Sequence, residues 1–450
     1  PCESGCNRNQ VEDFVGINSV EHFLGDYAIK NNLAFPKPTA QTGKTVAVIG
    51  GGPAGLMTAD VLSPFFQVRI YEKEKAIGQK FLVAGTGGLN ITNGMKGESR
   101  ASKYTPSGFL NEAICCFDSS ELREWLLQLG IPTYEGSSKR VFPEKGITPA
   151  EVLKKIRQKL EKQGVEFYPK HAFAGFGEAG NLNFKHGRNK ITVQADYYIF
   201  ALGGASWPVT GSTGEWLKYF ENHGIKTLPF QSSNCGIHIE WPDNIKANHA
   251  GKPIKNAGVS VNGIYRKGEA VITEYGLEGN VIYPLVPEIR KSLNSGMPVH
   301  ITLDLKPFNT EEQLLAKVAA KTSARTKNYA DIFNLNNTQL SVIKAFTSRE
   351  SFLSPQLFAG SLKQIQLPVQ ALRPIEEAIS TVGGIDLEEM NSDFSFKKMP
   401  QCFAIGEMLD WDAPTGGFLL QGCFSMGHWV GKKILEKEAA SGNIPDVPNG

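Results

Sequence analysis

The sequence predicts an α/β fold, in which a discontinuous Rossmann-type domain is interrupted by an inserted β-rich domain with a helical part. Three observations predict it. A buried-strand run, TVAVI from Thr45, leads directly into a glycine turn and a helix. A second strand-and-glycine signal, CFAIGE, returns late in the chain and precedes an apolar helix. Between the two lie short β segments punctuated by Gly, Pro and Asn, followed by a helical stretch. With 450 residues, 41% of them hydrophobic, the chain can bury more than one core.

Taken in order, residues 1–44 read as an N-terminal arm and linker. SVEHFLGDYAIKN carries apolar residues at helical spacing, and FPKPTAQTGK closes the arm as a Pro-rich spacer. From Thr45 the pattern is strand, GGGPAG turn, the helical LMTADVL and the strand VRIYEK, a βαβ unit that starts on glycine. Residues 76–100 read as a long glycine-rich loop. SSELREWLLQLG and TPAEVLKKIRQKLEKQG are amphipathic helices, the second with a Thr-Pro start and a Gly stop. VEFYP and YYIF read as strands, and YYIF runs into the glycines at 203 and 204. These signals place the first part of the Rossmann-type domain at 45–225. The inserted domain is 226–371, with a helical part near 309–362 capped by Asn309 or Thr310. The second part of the first domain is 372–440, and 441–450 is a tail.

Composition removes several classes. Lys plus Arg is 47 against 45 for Asp plus Glu, a net charge of +2 that leaves no electrostatic footprint for nucleic acid or an anionic membrane. No apolar run reaches the roughly 18 residues of a membrane span. Seven cysteines in this length read as reduced thiols in a cytoplasmic protein. The adjacent Cys115 and Cys116 read as buried thiols, because a disulfide between neighbours is strained. The histidines show no metal-ligand spacing, so no metal is expected.

The glycine turn carries the first chemical signal. Gly50, Gly52 and Gly55 form GxGxxG between a strand and a helix, with Pro53 and Ala54 inside the turn. Gly50 permits the tight turn, Gly52 admits a pyrophosphate close to the backbone, and Gly55 lets helix and strand pack. The helix N-terminus offers free N–H groups and partial positive charge to phosphates. Glu72 lies 22 positions after Gly50, where a carboxylate accepts hydrogen bonds from a ribose and repels a 2′-phosphate. Lys73 follows it. This motif alone leaves NAD and FAD both open.

The late segment CFAIGEMLDWDAPTGGFLLQGCF selects between them. Gly406 and Glu407 end a strand, Asp410 or Asp412 could accept a ribitol hydroxyl, and Thr415-Gly416-Gly417 open a helix whose first residues include Phe418 and Leu419. A helix N-terminus beside the flavin N1/C2 carbonyl stabilises the reduced anionic ring. A simple NAD dehydrogenase has no need of this return, so the cofactor read from the pair of motifs is non-covalent FAD. Cys402 and Cys423 flank the late motif and read as small core residues. Gly78, Lys80, Gly87, Gly88 and Asn90 form a third signal, a loop with room for an extended cofactor. Ala201 and Gly203 after YYIF, together with Phe173, complete the expected cradle. No catalytic residue is legible; Arg140 and Lys80 are the cations that could reach the flavin or an anionic substrate.

Several of these stretches, in the same order, carry a resemblance. VAVIGGGPAGL, IGQKFLVAGTGGLNITN, RVFP, ALGGASWPVTGSTGEW, SNCG and GEMLDWDAPTGGFLLQGCF resemble the BaiN/YhiN-like family of NAD(P)/FAD-dependent oxidoreductases, from Thr45 to about Lys433. The resemblance implies an FAD domain interrupted by a substrate domain. For a BaiN-like role it implies reduction of a carbon–carbon double bond in an oxo-steroid, although no residue here singles out a steroid. Residues 1–44 resemble the end of the iron–sulfur domain of glutamate synthase small subunits. Only Cys2 and Cys6 remain there, and two thiolates cannot fill a four-ligand cluster. The segment reads either as the remnant of a longer chain or as a docking arm.

The expected activity is hydride exchange at flavin N5 with a small organic substrate, on a C–C or C–N bond. A flavin monooxygenase and a non-catalytic electron relay are the alternatives. No second Rossmann half is visible. NAD(P)H would therefore bind only transiently across the flavin, or a donor protein would dock through the arm.

Overall fold

The computed structural model describes residues 42–84, 88–320 and 326–444, together with Phe23 and Tyr27, both helical. Other expectations for the arm, and that for Gly87, lie outside these residues. At the centre is a six-stranded sheet in the order Ser395–Phe396, Met399–Ala404, Tyr197–Phe200, Thr45–Ile49, Gln67–Glu72, Glu166–Pro169. All pairings are parallel except the one at the Ser395 edge. The inner strands VAVI and YYIF are apolar throughout because a parallel strand buried on both faces has no solvent side to alternate with.

Each helix begins where its sequence permits. Pro53 opens Pro53–Leu62, where its missing N–H costs nothing. Thr148 caps Pro149–Lys162 and Thr310 caps Glu311–Ala319, each in a reciprocal capping box with the residue at the third helical position. The loop expected at 76–100 contains a helix, Gln79–Ala84. Its glycines flank the hexapeptide QKFLVA without interrupting it, and four of those residues, Gln79, Lys80, Leu82 and Ala84, are good helix formers.

The closing helix, Phe418–Ala440, packs along Pro53–Leu62. Gly427 and Gly431 make the contact: a Cβ on the first would stand 2.3 Å from Ala54 O, and one on the second 2.7 Å from Val61 Cβ. Thr58 Oγ1 donates to Gly427 O at 3.0 Å. This close packing runs the two helices side by side, with the start of the first against Gly427, well inside the second.

A second apolar core forms between Ile237 and Val369. It lies under a seven-stranded antiparallel sheet whose middle strands are Val299–Asp304, Pro253–Val261 and Ile264–Ile272. The chain enters and leaves this unit through an antiparallel pair, Thr227–Ser233 with Ser380–Ile385. A sheltered ion pair, with its carboxylate buried and its arginine half-buried, braces the junction. Arg290, on the helix Val286–Asn294, meets Asp412 at 2.9 Å and donates to Ser232 O at 3.0 Å. Ser233 Oγ donates to the same carboxylate at 2.7 Å. Among the described residues no helix is long and apolar enough to cross a membrane.

Candidate functional site

The two helix N-termini open into one cavity of about 460 Å³. On its first side are Gly50, Gly52, Pro53 and Ala54. A Cβ on Gly50 would lie 2.2 Å from Ala201 O, and its φ of +114° suits glycine alone. A Cβ on Gly52 would meet nothing within 4 Å. That open space at a helix N-terminus is the feature a phosphate group needs. Gly55 does not line the cavity: its hydrogens face Gly50 O and Val48, the packing role expected of it.

Glu72 lines the same end, and both its oxygens are used. Oε2 accepts the Gly51 N–H at 3.0 Å and Oε1 the Glu74 N–H at 2.9 Å. Burial pushes its carboxyl above the usual range, against those two N–H groups. Lys73 lines the wall and reaches Thr213 Oγ1 at 3.3 Å. Phe173, Ala201 and Gly203 complete this end.

Across the cavity stand Gly78, Lys80, Gly406 and Glu407. Lys80 Nζ donates to Glu407 Oε2 and to Ser206 Oγ, both at 2.7 Å, and Glu407 Oε1 accepts the Thr381 N–H at 2.9 Å. Lys80 is therefore committed to an ion pair. Asn90 lines the wall with its amide nitrogen on Thr92 O and Val141 O, while its Oδ1 is buried without a partner. Gly416, Gly417 and Leu419 form the far end, where the closing helix begins. Gly417 has φ +90°, and a Cβ there would stand 2.5 Å from the Thr92 carbonyl.

Besides Gly55, five expected positions lie off the cavity. Asp410 turns back to accept the Gly383 N–H at 2.9 Å, because the left-handed glycines 383 and 384 leave a buried donor in need of an acceptor. Asp412 is held by Arg290 and Ser233, so neither aspartate offers the ribitol contact. Phe418 is buried in the first core and Gly88 is exposed beside Phe142. Arg140 does not line the wall either, although its Nε lies 3.6 Å from where a Gly416 Cβ would be. The thiols also differ from expectation: Cys115 is exposed and Cys116 half-buried, at the end of a short helix, and both are free. Cys423 lines the cavity, but burial pushes its thiol up to about 12. A thiol held protonated is a poor nucleophile.

Sequence reasoning missed two residues at the flavin-expected end, Asn234 and Ser380, while Thr415 lines the wall as expected of the turn it opens. Asn234, at φ +50°, donates to Ser380 Oγ at 2.7 Å and Ala413 O at 2.8 Å, and accepts the Thr415 N–H at 3.1 Å. It thereby joins both connecting strands to the turn before the closing helix. The sequence signal was the stretch SNCG, which carries the family resemblance but gives the asparagine no role. The stretch from Thr210 to Trp216 also lines the wall, beyond the glycines at which the motif was taken to end.

The wall thus offers backbone donors at one helix N-terminus, a carboxylate beside them, an unpartnered amide oxygen midway and a second helix N-terminus. That order of groups suits phosphate, sugar hydroxyls and an oxygen-rimmed ring along an extended ligand. Among the described residues no cluster of His, Cys, Asp and Glu is disposed to hold a metal.

Comparison with known proteins gives a family model, HI0933-like protein Rossmann domain, that matches residues 44–433. The chain is 23% identical over 414 residues to the 3-dehydro-bile acid delta(4,6)-reductase of Clostridium scindens, covering 87% of this chain and 99% of that one. It is 22% identical over 412 residues to the ribosomal RNA dihydrouridine synthase of Escherichia coli, covering 87% and 98%. A shorter likeness, 45% over 80 residues, is to glutamate synthase [NADH] of Saccharomyces cerevisiae and spans 17% of this chain and 4% of that one.

Proposed function

Since this chain belongs to the HI0933-like Rossmann family and is an FAD-dependent oxidoreductase, we propose that it reduces an activated carbon–carbon double bond in a small organic molecule, with FAD lying extended along the cleft. The observation that carries the reading is the convergence of the two helix N-termini, one behind Gly52 and one behind Gly417, on opposite ends of a single cavity. The names of the two long relatives, a bile-acid reductase and a dihydrouridine synthase, both describe saturation of a double bond and support the choice of reaction.

In this reading the chain's own groups divide the work. The N–H groups after Gly52 hold the pyrophosphate. Glu72 takes the adenosine ribose hydroxyls, for which each of its oxygens keeps a lone pair. Asn90 Oδ1 accepts a hydroxyl of the ribitol chain, which satisfies an otherwise orphaned buried atom. The open amides after Gly417, with the positive end of the closing helix, face the ring's pyrimidine edge. The Lys80–Glu407 pair, tied to Ser206 and Thr381, fixes the wall between the two ends. Bound there, FAD supplies two-electron chemistry, exchanging a hydride with carbon at its N5. NAD(P)H is the proposed donor, bound transiently.

The test is direct. Purified protein should be yellow and release FAD on denaturation. Reduced anaerobically with NADH or NADPH, it should be reoxidised faster by an α,β-unsaturated ketone than by oxygen. Rapid reoxidation by oxygen alone with a hydroxylated product would replace the reductase by a monooxygenase. Colourless protein that takes up no FAD would end the flavin reading altogether.

A further inference from the structure

The two cations singled out in the sequence end in different states. Lys80 is spent on Glu407 and Ser206. Arg140 is half-buried, and its guanidinium has no hydrogen-bond or ion-pair partner among the described residues. Elsewhere in this chain a sheltered arginine is paired: Arg100 with Asp118 at 2.6 Å, Arg290 with Asp412 at 2.9 Å. An arginine keeps its charge under all ordinary conditions, so shelter without a partner leaves an anion-binding capacity unused.

Its position gives that capacity a use. Arg140 heads the strand Arg140–Pro143, which pairs through Asn93 and Thr92 with the segment leading from Asn90. That ladder holds its Nε within 3.6 Å of the point a Gly416 Cβ would occupy. Gly416 lines the cleft, its φ of +113° favours glycine, and the point its Cβ would occupy is bordered by Arg140 Nε and Phe418 Cε2, each at 3.6 Å, so the guanidinium stands directly behind the cleft wall. Asn93 Nδ2 reaches the same point at 3.8 Å but is occupied by Gly416 O at 3.0 Å. Arg140, one residue layer behind the wall at this end, thus keeps its donors unspent, as does the start of the closing helix.

We propose that Arg140 is the oxygen anchor of the substrate: its guanidinium binds the carbonyl or carboxylate oxygen conjugated to the double bond and receives the charge that reduction places there. This rests on the proposed reading of the cleft, with the flavin ring at the Gly416–Gly417 end. In the step, a hydride from the reduced cofactor forms a C–H bond at the β-carbon. The carbon–carbon π bond breaks, and its electron pair moves through the conjugated system onto the oxygen facing Arg140. Water then protonates the α-carbon and leaves as hydroxide, the carbonyl re-forms, and the cofactor has given up one hydride, two electrons with one proton, to the product. Arg140 gives no proton; it stabilises the oxyanion as it develops. The ligand class is therefore a conjugated carbonyl or carboxylate compound, with the oxygen at one end of the reducible system.

A phenolate mimics such an enolate and needs no knowledge of the natural substrate. The FAD-loaded protein is titrated with 4-chlorophenol at a pH where the free phenol is un-ionised, and long-wavelength charge-transfer absorbance is followed. The wild type should develop the band, showing that the probe binds as its anion against the ring. Arg140→Met should keep its FAD and thermal midpoint, lose the band and bind the probe about tenfold more weakly or worse, as expected for loss of one charge-assisted hydrogen bond. Arg140→Lys should recover part of the band, because charge is retained without the planar fork. A methionine variant that titrates like the wild type overturns the proposal, as does a wild type that gives no band. Loss of FAD from the variant also overturns it, by placing Arg140 in the cofactor cradle. Failure of the flavin reading looks different: the wild type itself would hold no FAD.

Discussion

Glu72 is the side chain on which the most is asked. It ties the glycine turn to the second strand through Gly51 and, in the proposed reading, turns its remaining lone pairs to a ribose. Glu72→Ala should therefore weaken FAD binding by about 1.5–3 kcal/mol, roughly tenfold or more in Kd, as measured by flavin fluorescence titration. Glu72→Gln, which keeps one acceptor oxygen, should fall between. Unchanged affinity in the alanine variant removes Glu72 from the site. Its place on the cavity wall was legible because its spacing from GxGxxG is imposed by the length of one helix and one strand. Asp410 was not legible in the same way. It sits on an irregular stretch, where no periodicity says which way a side chain turns, and it went to the Gly383 N–H. The partnership of Lys80 with Glu407 spans 327 positions, and no local pattern announces it.

At the scale of elements, the glycines of the two turns separate into different physical roles, and substitution should tell them apart. Gly52→Ala adds a methyl to open space at an ordinary φ of −84°, so the apo protein should keep its thermal midpoint. The same methyl intrudes where the pyrophosphate is proposed to lie, and FAD affinity should fall at least about tenfold, some 1.4 kcal/mol. Gly417→Ala forces a side chain into left-handed backbone and against the Thr92 carbonyl, so midpoint and affinity should fall together. Calorimetry of apo and FAD-loaded forms distinguishes the two patterns; a Gly52→Ala variant with undiminished FAD binding would move the cofactor away from this turn. Elements with caps and clear periodicity were readable in advance, as Thr148 and Thr310 show. The helix Gln79–Ala84 was hidden because six residues between glycines give too little period to see.

Across the whole molecule, the inserted unit is tied to the first core by the Arg290–Asp412 pair as well as by two strands. Breaking a sheltered pair from one side leaves a charge without its partner, at about 3–5 kcal/mol. Arg290→Met should lower the unfolding free energy by an amount near that range in urea titration, and the Arg290→Met/Asp412→Leu double variant should recover part of it. If the single variant costs nothing, the pair does not brace the junction. The discontinuous layout was legible because cofactor signals lay at both ends of the sequence; the contacts that join the halves were not, because they depend on the folded register. That register carries a consequence for synthesis. Tyr198 pairs with Cys402, so the fourth strand of the sheet to be made waits for a neighbour made 204 positions later. At about 5–20 residues per second a ribosome leaves that apolar edge, YYIF, uncovered for many seconds while the insertion emerges. The insertion's entrance and exit lie side by side, so it can close its own core first. The cofactor-binding half is thus completed last, and until the final helix leaves the exit tunnel its survival depends on whatever shelters an unfinished sheet in the cell.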